Sequence, residues 1–182
     1  MIETGPEKVI FLDVDGVLNK NTDGSLIEDE FVERLAKIVK AAKADIILSS
    51  SWRYSYAKHI ENNLYSCKYS ELLISMLKKH GLQIAGTTPL THGSWGVHTR
   101  PFEVRTWLSN RDTIRRFVIL DDDFWIWNWL EDFVVCTTHE EKSADPYPHG
   151  KKYTYGLTDS DAEKAIEILN RPITPPELTF PE

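Results

Sequence analysis

Three clusters of polar residues in the sequence each follow directly after a short apolar run. Asp13 and Asp15 follow KVIFL, the serines at 49–51 follow DIIL, and the aspartates at 121–123 follow FVIL. Continuous apolar and β-branched runs of this length predict buried strands of a parallel sheet. Open parallel sheets bind ligands beyond the carboxyl ends of their strands. We therefore expect the clusters to converge on one pocket.

Carboxylates dominate the predicted pocket, and like charges at contact distance repel one another strongly unless they are neutralised. Protonation would relieve the repulsion, but a hard divalent cation does so more naturally. Oxygen ligands without a neighbouring Cys or His pattern favour Mg²⁺. Carboxylate-held Mg²⁺ with open positions typically binds a phosphate. The clusters thus predict phosphoryl chemistry with Mg²⁺ as the cofactor.

The segment Asp13-Val14-Asp15-Gly16 has two simpler interpretations. One is a plain acidic turn. The other is a calcium-binding loop, which needs glycine at its sixth position. Gly16 is the fourth residue counted from Asp13, and Val17 occupies a position that should supply a ligand. The calcium interpretation is therefore disfavoured.

Helical patterns lie between the clusters and would position them. Apolar residues at helical spacing predict a helix over 28–43. A helical region follows from about Arg53, is clearest at 72–77 and ends at His80-Gly81, a helix-stop signal. Pro101 is placed to open a further helix.

The remaining elements complete an alternating pattern. Strands are predicted at 82–85 and 133–136, and a last helix begins at Thr158, whose hydroxyl can cap the first turn together with Asp161. A turn signal at 21–24 indicates a small hairpin. Alternating strands and helices predict a mainly parallel sheet with helices on both faces. The expected fold class is a three-layer α/β/α, Rossmann-like architecture.

The composition fits one globular domain over 1–182, with a core at about 8–170 and a loose, Pro-rich tail at 171–182. The net charge of −7 argues against broad, non-specific nucleic-acid binding. Two cysteines lie outside any CxxC spacing, no apolar run approaches the length of a bilayer span, and MIETGPEKV lacks a signal-peptide pattern. These features predict a cytoplasmic protein without membrane association.

Signature-like segments occur in a defined order along the chain. FLDVDGVLN at 11–19 resembles the first signature of the haloacid dehalogenase (HAD) superfamily of phosphatases, an apolar strand followed by DxDG[TV]. IILSSSWR at 46–53 resembles the second, a strand ending in Ser or Thr, and VILDD at 118–122 resembles the fourth, a strand ending in paired acids. Arg100, near a helix start, fits the third. The resemblance covers roughly 8–170 and looks closest to the HAD domain related to RNA-repair proteins, on the segments SSSWR, VRTWL, ILDDD and YGLT.

The resemblance implies roles for the acids. Asp13 would attack phosphorus and form an aspartyl-phosphate, while Asp15 would protonate the leaving group and then activate water. Mg²⁺ would be held by the Asp13 carboxylate, the Asp15 backbone carbonyl and Asp122. Asp121 belongs to the same metal cluster but more simply braces it.

The resemblance also implies which residues contact the phosphoryl group and the substrate. Ser50 would donate a hydrogen bond to a phosphoryl oxygen, and Ser49 would replace it if the strand register differs by one residue. Arg100 would stabilise the developing charge, with Arg105 as the alternative. Many family members have Lys at the basic position of the third signature, so an arginine there is a mild departure. The candidates for substrate contact are Ser51, Trp52 and Arg53.

Little of the chain is left for an inserted cap domain, because one flap and one helix use most of the residues between the first two signatures. An open active site favours a large substrate, such as a nucleic-acid end or a phosphoprotein. Two other classes of function stay open. One is a HAD-like domain that binds phosphorylated ligands without turnover. The other is an interaction module using the tryptophans at 124–130, which fit either simple packing or an aromatic platform for bases.

Overall fold

The described part of the chain covers most of the expected core. The computed structural model describes residues 7–21, 26–62, 68–90, 99–111, 114, 116–127, 129–141 and 152–171, without the side chains of 58–62. The hairpin tip expected at 21–24 lies largely outside this part, and so does almost all of the Pro-rich tail. No helix among the described residues is long and apolar enough to cross a bilayer.

Within these residues, five parallel strands form one sheet in the order β3-β2-β1-β4-β5. The strands are β1 (Lys8–Leu12), β2 (Asp45–Leu48), β3 (Ile84–Thr87), β4 (Arg116–Asp121) and β5 (Val134–Cys136). Leu12 lies opposite both Leu48 and Leu120 in the ladder, so the three central strands reach the same level at their carboxyl ends. The predicted parallel sheet is confirmed.

Helices cover both faces of the sheet. The described helices are α1 (Asp29–Ala42), α2 (Arg53–Asn62), α3 (Lys68–Lys79), α4 (Arg100–Ser109) and α5 (Asp159–Asn170). Leu12 and Leu120 belong to the core that packs against α1, α3 and α5. Phe11 and Ile47 belong to a second core, which includes Val104 of α4. This alternation along the strands produces the expected three-layer α/β/α fold.

The helix ends follow local sequence signals. The Thr158 hydroxyl accepts a hydrogen bond from the Asp161 backbone N–H at 3.2 Å, and the Asp161 carboxylate accepts one from the Thr158 N–H at 2.8 Å. The predicted capping box of α5 is therefore confirmed. At the end of α3, Gly81 has φ +71°, and the Leu82 N–H donates to the Leu77 carbonyl.

Two features differ from the sequence expectation. β3 starts at Ile84 rather than 82, because the Leu82 amide is used to close the preceding helix. A two-stranded antiparallel sheet, β6 (Thr138–Glu140) with β7 (Tyr153–Tyr155), follows β5 and was not predicted. These strands are short and largely polar, so they lack the apolar alternation that indicates a strand.

Candidate active site

Acidic side chains meet at the carboxyl ends of β1 and β4. The Asp13 N–H donates to the Leu120 carbonyl at 3.0 Å, which carries the ladder past the end of β1. Among the described residues, Asp13, Asp121 and Asp122 each offer a carboxylate oxygen, and these oxygens lie within 4.8 Å of one another. Acids more than 100 residues apart in sequence thus share one small volume.

Burial and mutual repulsion change the proton affinity of this cluster. Burial, followed by the charge of Asp13, raises the pKa of Asp121 to about 7. The same two causes raise the pKa of Asp122 to about 6. The raised pKa values show that the cluster tends to take up protons, which reduces the repulsion between its carboxylates. A hard divalent cation bound by the carboxylate oxygens would neutralise the same charge in place of the protons.

Arg100 bridges two of the acids. Its Nη1 atom lies 2.7 Å from Asp13 Oδ2 and 2.7 Å from Asp121 Oδ2. Burial by itself lowers the pKa of Arg100, but the charges of Asp13 and Asp121 raise it by more. The net pKa lies above the ordinary value, so the guanidinium stays charged. Each residue of an α-helix turns by about 100°, so Arg105, five residues after Arg100, lies about 140° away from it around the axis of α4. Arg100 is therefore the residue that α4 brings to the acids.

Gly16 lies in the turn that follows Asp13 and Asp15, where this segment packs against Asp122. Its φ is +71°, and a Cβ atom added there would lie 2.4 Å from the Asp122 carboxyl carbon. The Gly16 carbonyl accepts hydrogen bonds from the Thr137 hydroxyl at 2.7 Å and from the Gly156 N–H at 2.9 Å. Glycine is needed here both for its backbone conformation and for close contact.

Asp15 is held by two donors at the partly exposed rim of the cluster. Asn19 Nδ2 donates to Asp15 Oδ1 at 2.9 Å, and Trp52 Nε1 donates to Asp15 Oδ2 at 2.9 Å. The Asn19 amide oxygen accepts hydrogen bonds from the Gly16 and Asn21 backbone N–H groups. The Asp15 carboxylate is thus fixed relative to the turn and to the second signature.

The family described as the HAD domain in Swiss Army Knife RNA repair proteins matches residues 9–142, well over half of the chain. The chain belongs to this family. No curated protein and no solved structure matches it. The match agrees with the order of the signatures and with the parallel sheet. Membership of the HAD family supports a phosphohydrolase of the HAD type in general terms.

The serines of the second HAD signature differ in their surroundings. Ser49 and Ser50 are buried, whereas Ser51 is exposed. The Ser50 hydroxyl oxygen accepts a hydrogen bond from the Trp52 N–H at 3.3 Å. The Ser49 hydroxyl has no hydrogen-bond partner in the described part of the chain. Ser49 lies two residues after Ile47 and so continues the sheet face that bears Asp13.

Arg53, a candidate for substrate contact, is turned into the protein and packs against α4. It is only 4% exposed, and its Nη2 atom lies 2.5 Å from Glu103 Oε2. The side chain is drawn inward because a buried carboxylate on α4 pairs with it. Trp52, by contrast, remains partly exposed and makes an edge contact with Tyr69, with ring centroids 5.2 Å apart.

Several polar contacts of the HAD site were not foreseen from the sequence. Asn21 Nδ2 donates to Asp122 Oδ2 at 3.0 Å, and the Thr138 hydroxyl donates to the Asp122 carbonyl at 2.6 Å. Thr137 fixes the Gly16 carbonyl in the same way. Asn19 belongs to the first signature segment, but only its hydrogen bonds show that it holds Asp15.

The tryptophans at 124–130 differ in exposure, and only some of them are accounted for by simple packing. Trp127 is fully buried and belongs to the core beneath α4. Trp125 is 83% exposed, and Trp129 packs near Phe102 with ring centroids 6.1 Å apart. Simple packing therefore accounts for Trp127, while Trp125 lies at the surface three residues after Asp122.

Proposed function

We propose that this HAD domain is a Mg²⁺-dependent phosphomonoesterase that works through an aspartyl-phosphate on Asp13. One observation carries the proposal: the Asp13 carboxylate shares a volume within 4.8 Å with those of Asp121 and Asp122, while Arg100 binds it from α4. A nucleophile, a cation site and a fixed positive charge are the parts that phosphoryl transfer requires.

The Asp13 carboxylate, Asp122 and the Asp15 backbone carbonyl would hold the metal ion. Asp121 braces the cluster, since its two oxygens already accept hydrogen bonds from Arg100 and from the Asp123 N–H. When bound, Mg²⁺ supplies charge neutralisation that lets an anionic substrate approach the carboxylates.

In the first step, an Asp13 carboxylate oxygen attacks phosphorus and forms the acyl-phosphate bond, and the bond from phosphorus to the leaving oxygen breaks. Asp15 gives its proton to that oxygen, so the product leaves as an alcohol. Asn19 and Trp52 keep the Asp15 carboxyl group oriented at the rim. Arg100 stabilises the negative charge on the phosphoryl oxygens.

In the second step, water attacks phosphorus and the acyl-phosphate bond breaks, which returns Asp13 as a carboxylate and releases inorganic phosphate. Asp15, now ionised, takes a proton from the attacking water. The protonation state of Asp15 is then the same as at the start, so the cycle closes without an added base.

Ser49 is the residue that we assign to the phosphoryl oxygen, in place of Ser50. Its hydroxyl is buried and without a partner among the described residues, and it continues the sheet face of Asp13. Buried hydroxyls normally find a partner, and a phosphoryl oxygen would provide it. Ser51 and Trp52, which are more exposed, are the better candidates for contact with the rest of the substrate.

The substrate that we favour is the phosphorylated end of a nucleic acid. The family is described by its occurrence in RNA repair proteins, and this description favours a nucleic-acid end over a phosphoprotein. Trp125, exposed three residues beyond Asp122, could stack on a base near the terminal phosphate. The acidic net charge of −7 limits binding to local contacts rather than a long backbone.

A metal-titrated phosphatase assay tests the proposal. The substrates are a generic aryl phosphate, RNA and DNA oligonucleotides phosphorylated at either end, and a phosphopeptide. Activity should require Mg²⁺, should be lost in Asp13→Asn, and should be highest on an oligonucleotide end. Asp45→Asn, an exposed acid at the opposite end of β2, is the matched control and should keep full activity. Folded protein that binds phosphorylated ends but hydrolyses none of the substrates would instead be a non-catalytic binding module.

A further inference from the structure

A buried ion pair joins the second signature to α4. Arg53 is 4% exposed and Glu103 is 0% exposed, and Arg53 Nη2 lies 2.5 Å from Glu103 Oε2. Arg53 Nη1 also donates to the Ser49 carbonyl at 3.2 Å and to the Ser50 carbonyl at 2.9 Å. One guanidinium group therefore connects the loop at 49–51, here called the serine loop, with a side chain of another helix.

The pair lies next to both groups that would contact the phosphoryl oxygens. Arg53 begins α2 immediately after the serine loop, and Glu103 follows Arg100 by three residues on α4. Residues three apart on a helix lie on the same face. The Arg53–Glu103 contact therefore links the serine loop to the turn of α4 that follows Arg100.

Stability alone is a weak reason for such a pair. Removing two charges from water is costly, and apolar residues of similar volume often stabilise a core equally well or better. What apolar side chains cannot reproduce is the hydrogen bonding to two consecutive backbone carbonyls. Planar guanidinium groups form such fixed, multidentate contacts.

We propose that Arg53 and Glu103 are positioning residues, which hold the Ser49 hydroxyl and Arg100 at the spacing that the phosphoryl transition state requires. The inference rests on the proposed function. A displacement of about 1 Å in such groups can reduce turnover by about 100-fold. The effect should fall mainly on kcat, because the pair holds the backbone of Ser49 and the turn of α4 next to Arg100, and both groups act on the developing charge.

The decisive variant replaces both charges with apolar residues, Arg53→Met with Glu103→Leu. Each single substitution leaves one buried charge unpaired and should lower the melting temperature. The double variant should regain most of the melting temperature that the single variants lose, short of the wild type by the cost of the hydrogen bond to the Ser49 carbonyl. Its kcat should nevertheless remain about 10- to 100-fold lower, with KM changed by less than about threefold. Recovery of kcat together with the melting temperature would overturn the proposal, because the pair would then only stabilise the fold.

Arg116→Met provides the matched control. Arg116 is also a buried arginine, 8% exposed, but it begins β4 at the opposite end of the sheet from the acids. This variant should lose stability while kcat and KM stay within about twofold of the wild type. A fall in kcat equal to that of the double variant would show that any loss of a buried arginine slows turnover, and it would contradict the proposal.

Binding of orthovanadate, a mimic of the phosphoryl transition state, gives a readout that does not depend on turnover. In the presence of Mg²⁺, the double variant should bind vanadate at least about tenfold more weakly than the wild type. Wild-type protein that binds vanadate but hydrolyses nothing would contradict the proposed function, while a weaker double variant would still support the positioning role. Equal vanadate affinity in the two proteins, or none in either, would overturn it.

Discussion

Gly16 and Asp122 are in such close contact that a methyl group added to Gly16 would overlap the Asp122 carboxyl carbon, 2.4 Å away. This contact seats the turn of the first signature directly against the fourth. The spacing of the acids therefore depends on the absence of a side chain at Gly16. The Asp122 carboxylate cannot stay in place if any side chain is introduced at position 16.

Gly16→Ala should abolish most of the Mg²⁺ binding and reduce kcat/KM by about 100-fold or more, since Asp122 must move by more than the metal–oxygen distance tolerates. Gly81→Ala is an unusually close control, because Gly81 has the same φ of +71° but no atom within 4 Å of an added Cβ. It should show only the backbone strain, about 1 kcal/mol of stability. Calorimetric Mg²⁺ titration and steady-state kinetics on both variants test this. Equal Mg²⁺ affinity in the two would refute the steric argument.

Arg100→Ala should lower kcat by about 10²- to 10³-fold, because the charge that stabilises the phosphoryl oxygens is removed. It should also cost about 3–5 kcal/mol of stability, since two buried carboxylates lose their partner. Both contacts to Asp13 and Asp121 come from the single atom Nη1, so the amino group of Arg100→Lys can replace it, and the loss should stay near tenfold or below.

Arg105→Ala tests the alternative placement of the third signature. Arg105 lies on the same helix, about 140° around the axis from Arg100. Its removal should leave kcat within about twofold of the wild type. If Arg105→Ala instead reduces kcat as much as Arg100→Ala, the assignment of Arg100 from its contacts is wrong.

Much of the sheet and the central acids could be predicted from the sequence, because two local signals coincide. After a charged first residue, β1, β2 and β4 each contain an uninterrupted apolar run, and polar residues follow each run at the same level of the ladder. A strand that is buried on both faces must be apolar throughout, and parallel pairing brings the polar residues after each strand to the same edge of the sheet. Neither requires knowledge of a long-range contact.

The polar supports of the site were not predictable in the same way. Asn21 and Asp122 are 101 residues apart, and Thr137 and Gly16 are 121 apart. Their hydrogen bonds depend on backbone turns, including a left-handed conformation at Asn21 with φ 51°. Arg53 shows the limit most clearly. Its long side chain could extend to solvent or inward, and the choice is made by a buried glutamate that the sequence places 50 residues away.

The two buried serines can be distinguished by alanine substitution. Ser49→Ala should not reduce stability, because it removes a buried hydroxyl without a partner among the described residues, yet it should lower kcat about 10- to 100-fold. Ser50→Ala should lose about 1 kcal/mol through the contact with the Trp52 N–H and have a smaller effect on kcat. Thermal unfolding and kinetics on both variants test the assignment. A larger kcat loss in Ser50→Ala would restore the register first expected from the sequence.

The acidic cluster should make the metal-free protein less stable as the pH rises. The folded-state pKa values of about 7 for Asp121 and about 6 for Asp122 lie above the ordinary value of 3.8, so the folded protein binds more protons than the unfolded chain between these limits. The stabilisation is full below about pH 4 and is lost as the pH rises through about 6 to 7.

Melting temperatures measured in a chelator from about pH 5 to about pH 8 should therefore fall, and saturating Mg²⁺ should remove most of the fall, since the cation then replaces the protons. Asp122→Asn should flatten the chelator curve by removing one of the two titrating groups. Asp29→Asn is the control, because hydrogen bonds from Lys79 and His80 lower the pKa of Asp29, which places its titration below this range. A metal-free melting temperature that rises across the same interval would mean that the carboxylates do not repel one another as their spacing implies.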